Sequence, residues 1–250
     1  MQKTIVITDL TTMGGDRVCI VGIDQDSRCI RPVLPPPGVL RKHLYISKYI
    51  IFEKLAIRPR AKIRFDFHQV PLKPPHIEDL GFDPDSISYQ RFCDDTEWEA
   101  VLQASSFHSV QDIYDGLLQE PRWVAPGANT RSLGTVSRTQ VTNVRLQEWS
   151  GRRKYRLCFV DDVGHKYDDV IISDMASRAF LDAEVSRVES PMVAATHVKD
   201  LLRDADRLYL RLGLARPWPN PNTNRMECWM QVTGIHTFPD YLEGKTFADF

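Results

Sequence analysis

Arg17-Val18-Cys19-Ile20-Val21-Gly22-Ile23-Asp24-Gln25-Asp26-Ser27-Arg28-Cys29-Ile30-Arg31-Pro32-Val33 consists of two short apolar runs held apart by four turn-forming residues. Residues 17–23 alternate and are rich in β-branched side chains. Residues 28–33 follow Asp24-Gln25-Asp26-Ser27, whose short polar side chains bond their own backbone and favour reversal. Two strands joined by a turn are expected. Upstream, residues 4–8 are a β-branched run, and Gly14-Gly15 marks a tight turn or bulge between it and the next strand. Downstream, Pro35-Pro36-Pro37-Gly38 cannot continue a strand. Residues 49–52 and 61–67 read as further strands, the second with Ile63, Phe65 and Phe67 on one face. Residues 71–75 read as an extended, proline-bounded loop.

The middle of the chain changes character. Asp94-Asp95-Thr96 supplies a cap and first-turn acids for a helix over about 97–103. Val110, Ile113, Tyr114 and Leu117 are spaced for one face of a second helix over 109–118. Pro121 and Pro126-Gly127 end that helical stretch. Strand patterns resume over 141–149, 154–160 and 166–172, the last two joined through Asp161-Asp162-Val163-Gly164. Asp174 caps a helix expected to reach about 184, and Thr196 one reaching about 205. Leucines at 208, 210, 212 and 214 alternate, residues 217–221 are a proline-broken loop, and residues 228–237 form a closing strand. The expected organisation is a β unit over 1–93, an acidic helical connector over 94–130, and a second β unit over 131–250 that ends in an aromatic tail.

Composition bounds the function. With 42% hydrophobic and 26% charged residues the chain is an ordinary globular one, long enough to bury a sizeable core. No stretch approaches the ~20 apolar residues that span a bilayer, so no membrane role is expected. Met1-Gln2-Lys3 runs straight into strand-like sequence without a signal peptide, which makes a cytoplasmic location the expectation. The five cysteines, Cys19, Cys29, Cys93, Cys158 and Cys228, form no C-x-x-C pair and read as reduced, small core side chains. Net charge is only −1, but charge is segregated. Residues 41–64 carry eight basic side chains (Arg41, Lys42, Lys48, Lys54, Arg58, Arg60, Lys62, Arg64) against Glu53. Residues 131–160 carry seven (Arg131, Arg138, Arg145, Arg152, Arg153, Lys154, Arg156) against Glu148. Between them, residues 76–120 hold eleven acids and only Arg91. Such segregation either builds a positive face or lets the segments fold back and neutralise one another.

Catalytic signatures are absent. There is no phosphate-binding loop, no H-E-x-x-H and no nucleophile elbow, and the seven histidines are scattered singly. The chain reads as non-catalytic, with no cofactor or metal assigned. The one carboxylate cluster, Asp161, Asp162, Asp168 and Asp169, has the oxygen ligands that Mg²⁺-dependent phosphodiester cleavage needs. Asp-Asp-Val-Gly is also ordinary turn chemistry, and no E-x-K follows. A binding surface is the other candidate. Trp149-Ser150-Gly151-Arg152-Arg153-Lys154-Tyr155-Arg156 interleaves rings with cations across a turn, and Arg216-Pro217-Trp218 repeats the pairing in a loop. Cations engage phosphates and aromatic faces stack bases. Strand alternation puts Lys154 and Arg156 on one face and Tyr155 on the other.

Gly14-Gly15-Asp16-Arg17-Val18-Cys19-Ile20-Val21-Gly22 followed by Cys29-Ile30-Arg31-Pro32-Val33 resembles the opening of the prokaryotic dual OB-containing domain family, where a glycine pair precedes a W-I-R-P-V strand. The order of later motifs is similar: Tyr155-Arg156-Leu157 to Phe159, a glycine-containing turn, Ile171-Ile172-Ser173-Asp174, the leucine strand with Arg216-Pro217-Trp218, and Cys228-Trp229 to Ile235. Cys29 stands where the family has tryptophan, Asp16 is inserted after the glycines, and residues 237–250 extend past the pattern. The resemblance implies a β-rich α+β protein with two OB-like β-barrels, an N-terminal one over 1–93 and a C-terminal one over 131–250, separated by the short acidic helical segment. It also implies nucleic-acid binding in the setting of bacterial conflict and defence systems, and no established reaction. OB barrels bind oligonucleotides on one strand face and its flanking loops.

The leading expectation is therefore a non-catalytic accessory protein that binds single-stranded DNA or RNA. Arg152, Arg153, Lys154 and Arg156 are its phosphate contacts, joined by Arg216, with Trp149 and Trp218 for stacking. Arg31 matches the family motif, and an arginine before Pro32 inside a strand equally suits bracing the barrel. The alternative is a protein-interaction module that docks through Phe238, Tyr241, Phe247 and Phe250, where rings alternate with acids. Such a tail either packs on its own barrel or enters a partner's groove. A metal-dependent nuclease using the aspartate cluster is the third reading.

Overall fold

The computed structural model describes residues 1–12, 18–34, 50–51, 54–120, 122–149 and 152–250, with the backbone alone at 50–51, 54–55, 149 and 152. The fold is β-rich, with 46% strand against 21% helix.

In the first half, β1 (Gln2–Thr12) and β2 (Val18–Asp24) pair antiparallel, and β2 pairs with β3 (Cys29–Val33). The turn between β2 and β3 follows its sequence chemistry. Asp24 Oδ1 accepts from the amides of Asp26 and Arg28, both at 3.0 Å, while Ser27 takes a left-handed φ of 59°. Two short strands, β4 (Ile50–Ile51) and β5 (Lys54–Leu55), form a separate ribbon. β6 (Ala61–His68) then pairs with β1, and β7 (Asp79–Phe82) lies antiparallel to β6 and parallel to β3. These pairings close a five-stranded barrel in the order β1-β2-β3-β7-β6, and β8 (Ser88–Phe92) adds to β6 outside it. Alternation along β6 puts Ala61, Ile63, Phe65 and Phe67 inside and Lys62, Arg64, Asp66 and His68 outside. Ile5, Ile7, Ile20, Ile30 and Phe82 complete that core.

The connector contains α1 (Asp95–Ala104), capped by Asp94, whose side chain accepts from Glu97 N at 2.8 Å. It continues through β9 (Ser106–Phe107), α2 (Val110–Ile113) and β10 (Trp123–Val124). The second helix is shorter than its apolar spacing predicts, because Asp115 and Gly116 adopt positive φ (51° and 74°) and terminate it. The connector is not a free-standing spacer: β9 and β10 join the second sheet.

That sheet is built from β11 (Leu133–Ser137), β12 (Gln140–Trp149), β13 (Arg152–Val160), β14 (Lys166–Ile172), β15 (Arg207–Leu214), β16 (Trp218–Pro219) and β17 (Met226–Phe238). Its order is β12-β13-β14-β17-β15-β11-β9, with β14–β17 and β11–β9 parallel. Between β14 and β15 run α3 (Met175–Val188) and α4 (Pro191–Arg203). Asp174 caps α3 as expected. The next helix starts earlier than residue 196, because Ser190 caps it and Pro191 occupies its first turn, where a missing N–H costs nothing. Tyr155, Leu157, Phe159, Leu210, Leu212, Met230 and Val232 fill the interior, sealed by Leu181, Val198 and Leu202 of the helices.

The two halves meet along β1 and β17. A third cluster, Val6, Cys93, Trp98, Leu102, Tyr209 and Phe238, lies in the joint. Beside it the side chains of Asp9 and Arg211, both 0% exposed, pair at 2.9 Å. Thr8 (2.6 Å) and Thr233 also donate to Asp9, and Arg211 Nη1 donates to Thr135 at 2.9 Å. Burial by itself pushes the Asp9 carboxyl up, but the Arg211 charge and the threonine hydroxyls reverse this and hold it below its ordinary value.

Candidate nucleic-acid interface

Alternation along β13 sends Tyr155 and Leu157 inward and Lys154 and Arg156 outward. Cross-strand register then assembles an exposed row. Arg145 of β12 lies opposite Arg156, Arg156 opposite Ile171 of β14, and Ile171 opposite Gln231 of β17, while Gln147 faces Lys154. Ile171 is 44% exposed, a large apolar side chain left uncovered among cations.

A bulge organises this face. Register shifts between Leu157 and Phe159, and Asp169 opposite takes φ 55°. The carbonyl oxygens of Asp168 and Asp169 become acceptors for guanidinium groups. Arg122, at the entry to β10, donates to both, at 3.1 Å to Asp169 O, and Arg156 Nη1 donates to Asp169 O at 3.0 Å. Arg145 Nη1 reaches both Asp169 carboxylate oxygens at 3.0 Å. Asp168 pairs with Lys166 at 3.1 Å. Arg122, Arg145, Arg156 and Lys166 thus gather at the Asp168–Asp169 bulge. Burial lowers the pKa of Arg122, and the neighbouring Arg156 charge lowers it further. Two guanidinium groups bonded to carbonyl oxygens and repelling each other favour arrival of an anion.

The register places the β12–β13 hairpin at one end of this face and the loop before β17 at the other. Trp218 of β16, which that loop joins to β17, is 70% exposed. Trp149 and Arg152 are the last pair at the turn end of the hairpin, and their side chains lie outside the described residues, as do Ser150 and Gly151.

Other expected contacts are placed elsewhere. Arg153 points to the Tyr155 side of β13 and pairs with Asp182 of α3 at 2.6 Å, beside the Tyr155 hydroxyl, so it braces a helix. Arg31 is 5% exposed and bonds Asp79 (3.1 Å), Ser132 (3.0 Å) and His76 (3.1 Å); it is the barrel brace rather than a surface contact. Arg216, half-exposed, reaches the same Asp79 at 2.7 Å. Among the described residues of the first basic segment, Arg60 pairs with Asp95 and Lys62 with Glu97 in the first turn of α1. Hydrogen bonds from Arg91 and Lys62 hold the Glu97 carboxyl down to about 2. Arg41, Lys42 and Lys48, and the Lys54 side chain, lie outside the described residues.

The four aspartates do not form one site. Asp161 is buried and accepts from His165 N (2.9 Å) and Val110 N (3.2 Å), and Asp162 lies near His108 (3.5 Å) and Arg138 (3.9 Å). Among the described residues no three His, Cys, Asp or Glu side chains gather to hold a metal ion. The aromatic tail packs on its own protein. Phe238 is buried in the joint, Tyr241 bonds Ser177 (2.7 Å) and meets Phe180 edge-on, Phe247 packs on the first barrel's core, and Phe250 contacts Phe180.

Arg122 and Arg145 are the residues that the strongest sequence cues passed over. Arg145 was visible as part of the second basic segment and needed only the register with Arg156. Arg122 stands alone after Pro121 and carries no local signal. No protein-family model matches this chain. A comparison with curated proteins likewise yields no match.

Proposed function

We propose that the exposed face of β12, β13 and β14 binds single-stranded nucleic acid. Arg122, Arg145, Lys154 and Arg156 contact phosphates, and Ile171 and Trp218 pack against bases. The observation that carries this reading is the cluster of three guanidinium groups around the Asp168–Asp169 bulge, two of them bonded to backbone carbonyls. A strand's phosphates can replace the one competing carboxylate, and an apolar floor beside the cations suits base faces.

The topology supports it. We read the first barrel as OB-like: a three-stranded meander whose third strand runs parallel to the fifth. The second sheet admits the same reading if β11 and β12 act as one strand bent at Arg138 (φ 53°), since β11 pairs with β15 and β12 with β13. The first half of that bent strand then closes the sheet and the second half carries Arg145. On this reading the candidate face is the one OB barrels use, flanked by the loops they use.

The test is fluorescence anisotropy with labelled oligo-dT and oligo-U at ~50 mM salt. Arg145→Glu with Arg156→Glu should weaken binding at least tenfold, whereas Arg64→Glu on the first barrel should leave it within twofold. Equal effects of the two changes would show attraction by overall charge and no site on this face.

A further inference from the structure

β17 gives Cys228, Met230 and Val232 to the core. Strand alternation therefore turns Glu227, Trp229 and Gln231 to the outer side of the sheet, the side of Arg156 and Ile171. β10 follows the same rule: Val124 is in the core, and Trp123 is outside, directly opposite Trp229. Opposed residues of antiparallel strands share a face, with Cβ atoms about 4.5–5.5 Å apart. The two indoles are thus neighbours on the outer face, and both are partly exposed. Gln231, two residues on from Trp229, is opposite Ile171. Two residues the other way, Glu227 is opposite Trp218, which extends the aromatic row.

Local bonds hold this patch in place. Met230 N donates to Arg122 O at 3.0 Å and ties β10 to β17, while Trp123 Nε1 donates to Glu120 O at 3.2 Å and fixes its ring. Glu227, the carboxylate of the row, is buried and accepts from Asn220 Nδ2 at 2.9 Å. Cations border the rings. Arg122 precedes Trp123 in the chain and bonds the Asp168 and Asp169 carbonyls, and Arg156 is opposite Ile171. Indole faces contribute nothing to phosphate binding, but they stack on any base, because every base has a π-face. Gln231 beside them offers donors and an acceptor to a base edge.

We propose that Trp123 and Trp229 form a stacking platform for two unpaired bases. The ligand class of this face is then a strand with accessible bases, and not polyanions at large. The inference rests on the nucleic-acid reading above and sharpens it: phosphates lie over Arg122, Arg145 and Arg156, and the bases turn towards β17 and β10. A strand stripped of its bases keeps the phosphate contacts alone.

The experiment compares labelled oligo-dT with an abasic strand of the same length and charge, by anisotropy with the full chain at ~50 mM salt. The wild-type protein should bind oligo-dT at least tenfold more tightly than the abasic strand. Trp123→Leu combined with Trp229→Leu should lose about tenfold on oligo-dT and stay within twofold on the abasic strand. Trp123→Phe combined with Trp229→Phe keeps two rings and should hold oligo-dT affinity within threefold. Its quenching of tryptophan emission on binding should fall by at least half, which decides the matter if the double leucine variant does not fold. Failure of the wild-type protein to bind either strand would remove the nucleic-acid face, and this platform with it. Other results would overturn the platform and leave the phosphate contacts standing: salt-dependent binding equal for the two strands, wild-type oligo-dT affinity or equal losses on both strands in a folded double leucine variant, or undiminished quenching in the double phenylalanine variant.

Discussion

Asp9 and Arg211 are 202 positions apart and share one fully enclosed contact. Removing one partner of such a pair strands the other charge away from water. Arg211→Met should therefore destabilise the protein by about 3–5 kcal/mol in urea denaturation, and Asp9→Leu combined with it should restore much of the loss. A loss below about 1 kcal/mol for the single change would mean the joint does not depend on the pair. His236 lies in the same joint and makes a pH test. Its imidazole protonates ordinarily near 6.5 but, buried, only at about 4. Between those values the unfolded chain takes up a proton that the native state refuses, so this group's contribution is present above pH 6.5 and is lost as pH falls towards 4. Wild-type stability should drop over that window by up to roughly 3 kcal/mol more than that of His236→Gln. Parallel losses in the two proteins would show that His236 is not the group responsible. None of the three residues was legible. Leucines at 208, 210, 212 and 214 mark the core face correctly, and the same alternation assigns Arg211 to solvent. That solvent side is where the first barrel sits, and a local period carries no information about it. Arg31 was legible as one of two options, and its partners decide for the brace.

At the scale of elements, local chemistry was legible wherever it closes within a few residues. The Asp24–Ser27 turn, the Asp94 and Asp174 caps and the alternation of Ile63, Phe65 and Phe67 all hold, because each is a hydrogen bond or a face set by the segment itself. Residues 109–118 fail as one helix because left-handed residues at 115 and 116 override the apolar spacing. The bulge at Asp169 was not legible at all, since it exists only in the pairing of β13 with β14, yet it orders the guanidinium cluster. Asp169→Asn keeps a residue tolerant of left-handed backbone and removes the carboxylate that competes for Arg145. Oligonucleotide affinity should rise about three- to tenfold at low salt, by anisotropy, with little change in melting temperature. A fall in affinity would mean that Asp169 positions Arg145 for its ligand rather than competing with it.

Across the whole molecule, charge segregation along the chain was readable and its resolution was not. The sequence left open whether acids neutralise the basic segments, and the fold treats the two segments differently. Where the first is described, acids of α1 pair with Arg60 and Lys62. The second is split by strand alternation: Arg153 goes to a helix, while Lys154 and Arg156 join Arg122 and Arg145 on an open face. In the first barrel Arg60 and Lys62 are tied to α1, whereas Arg122, Arg145, Lys154 and Arg156 stand on the second sheet's outer side. The most direct measurement of that difference is the salt dependence of oligo-dT and oligo-U affinity for the intact protein. Four phosphate contacts on a single strand give a slope of log K against log salt of about −3, and replacing Arg145 and Arg156 by glutamine should halve it. A slope near zero for the wild-type protein, or one that survives both substitutions unchanged, would contradict a phosphate-binding face on the second sheet.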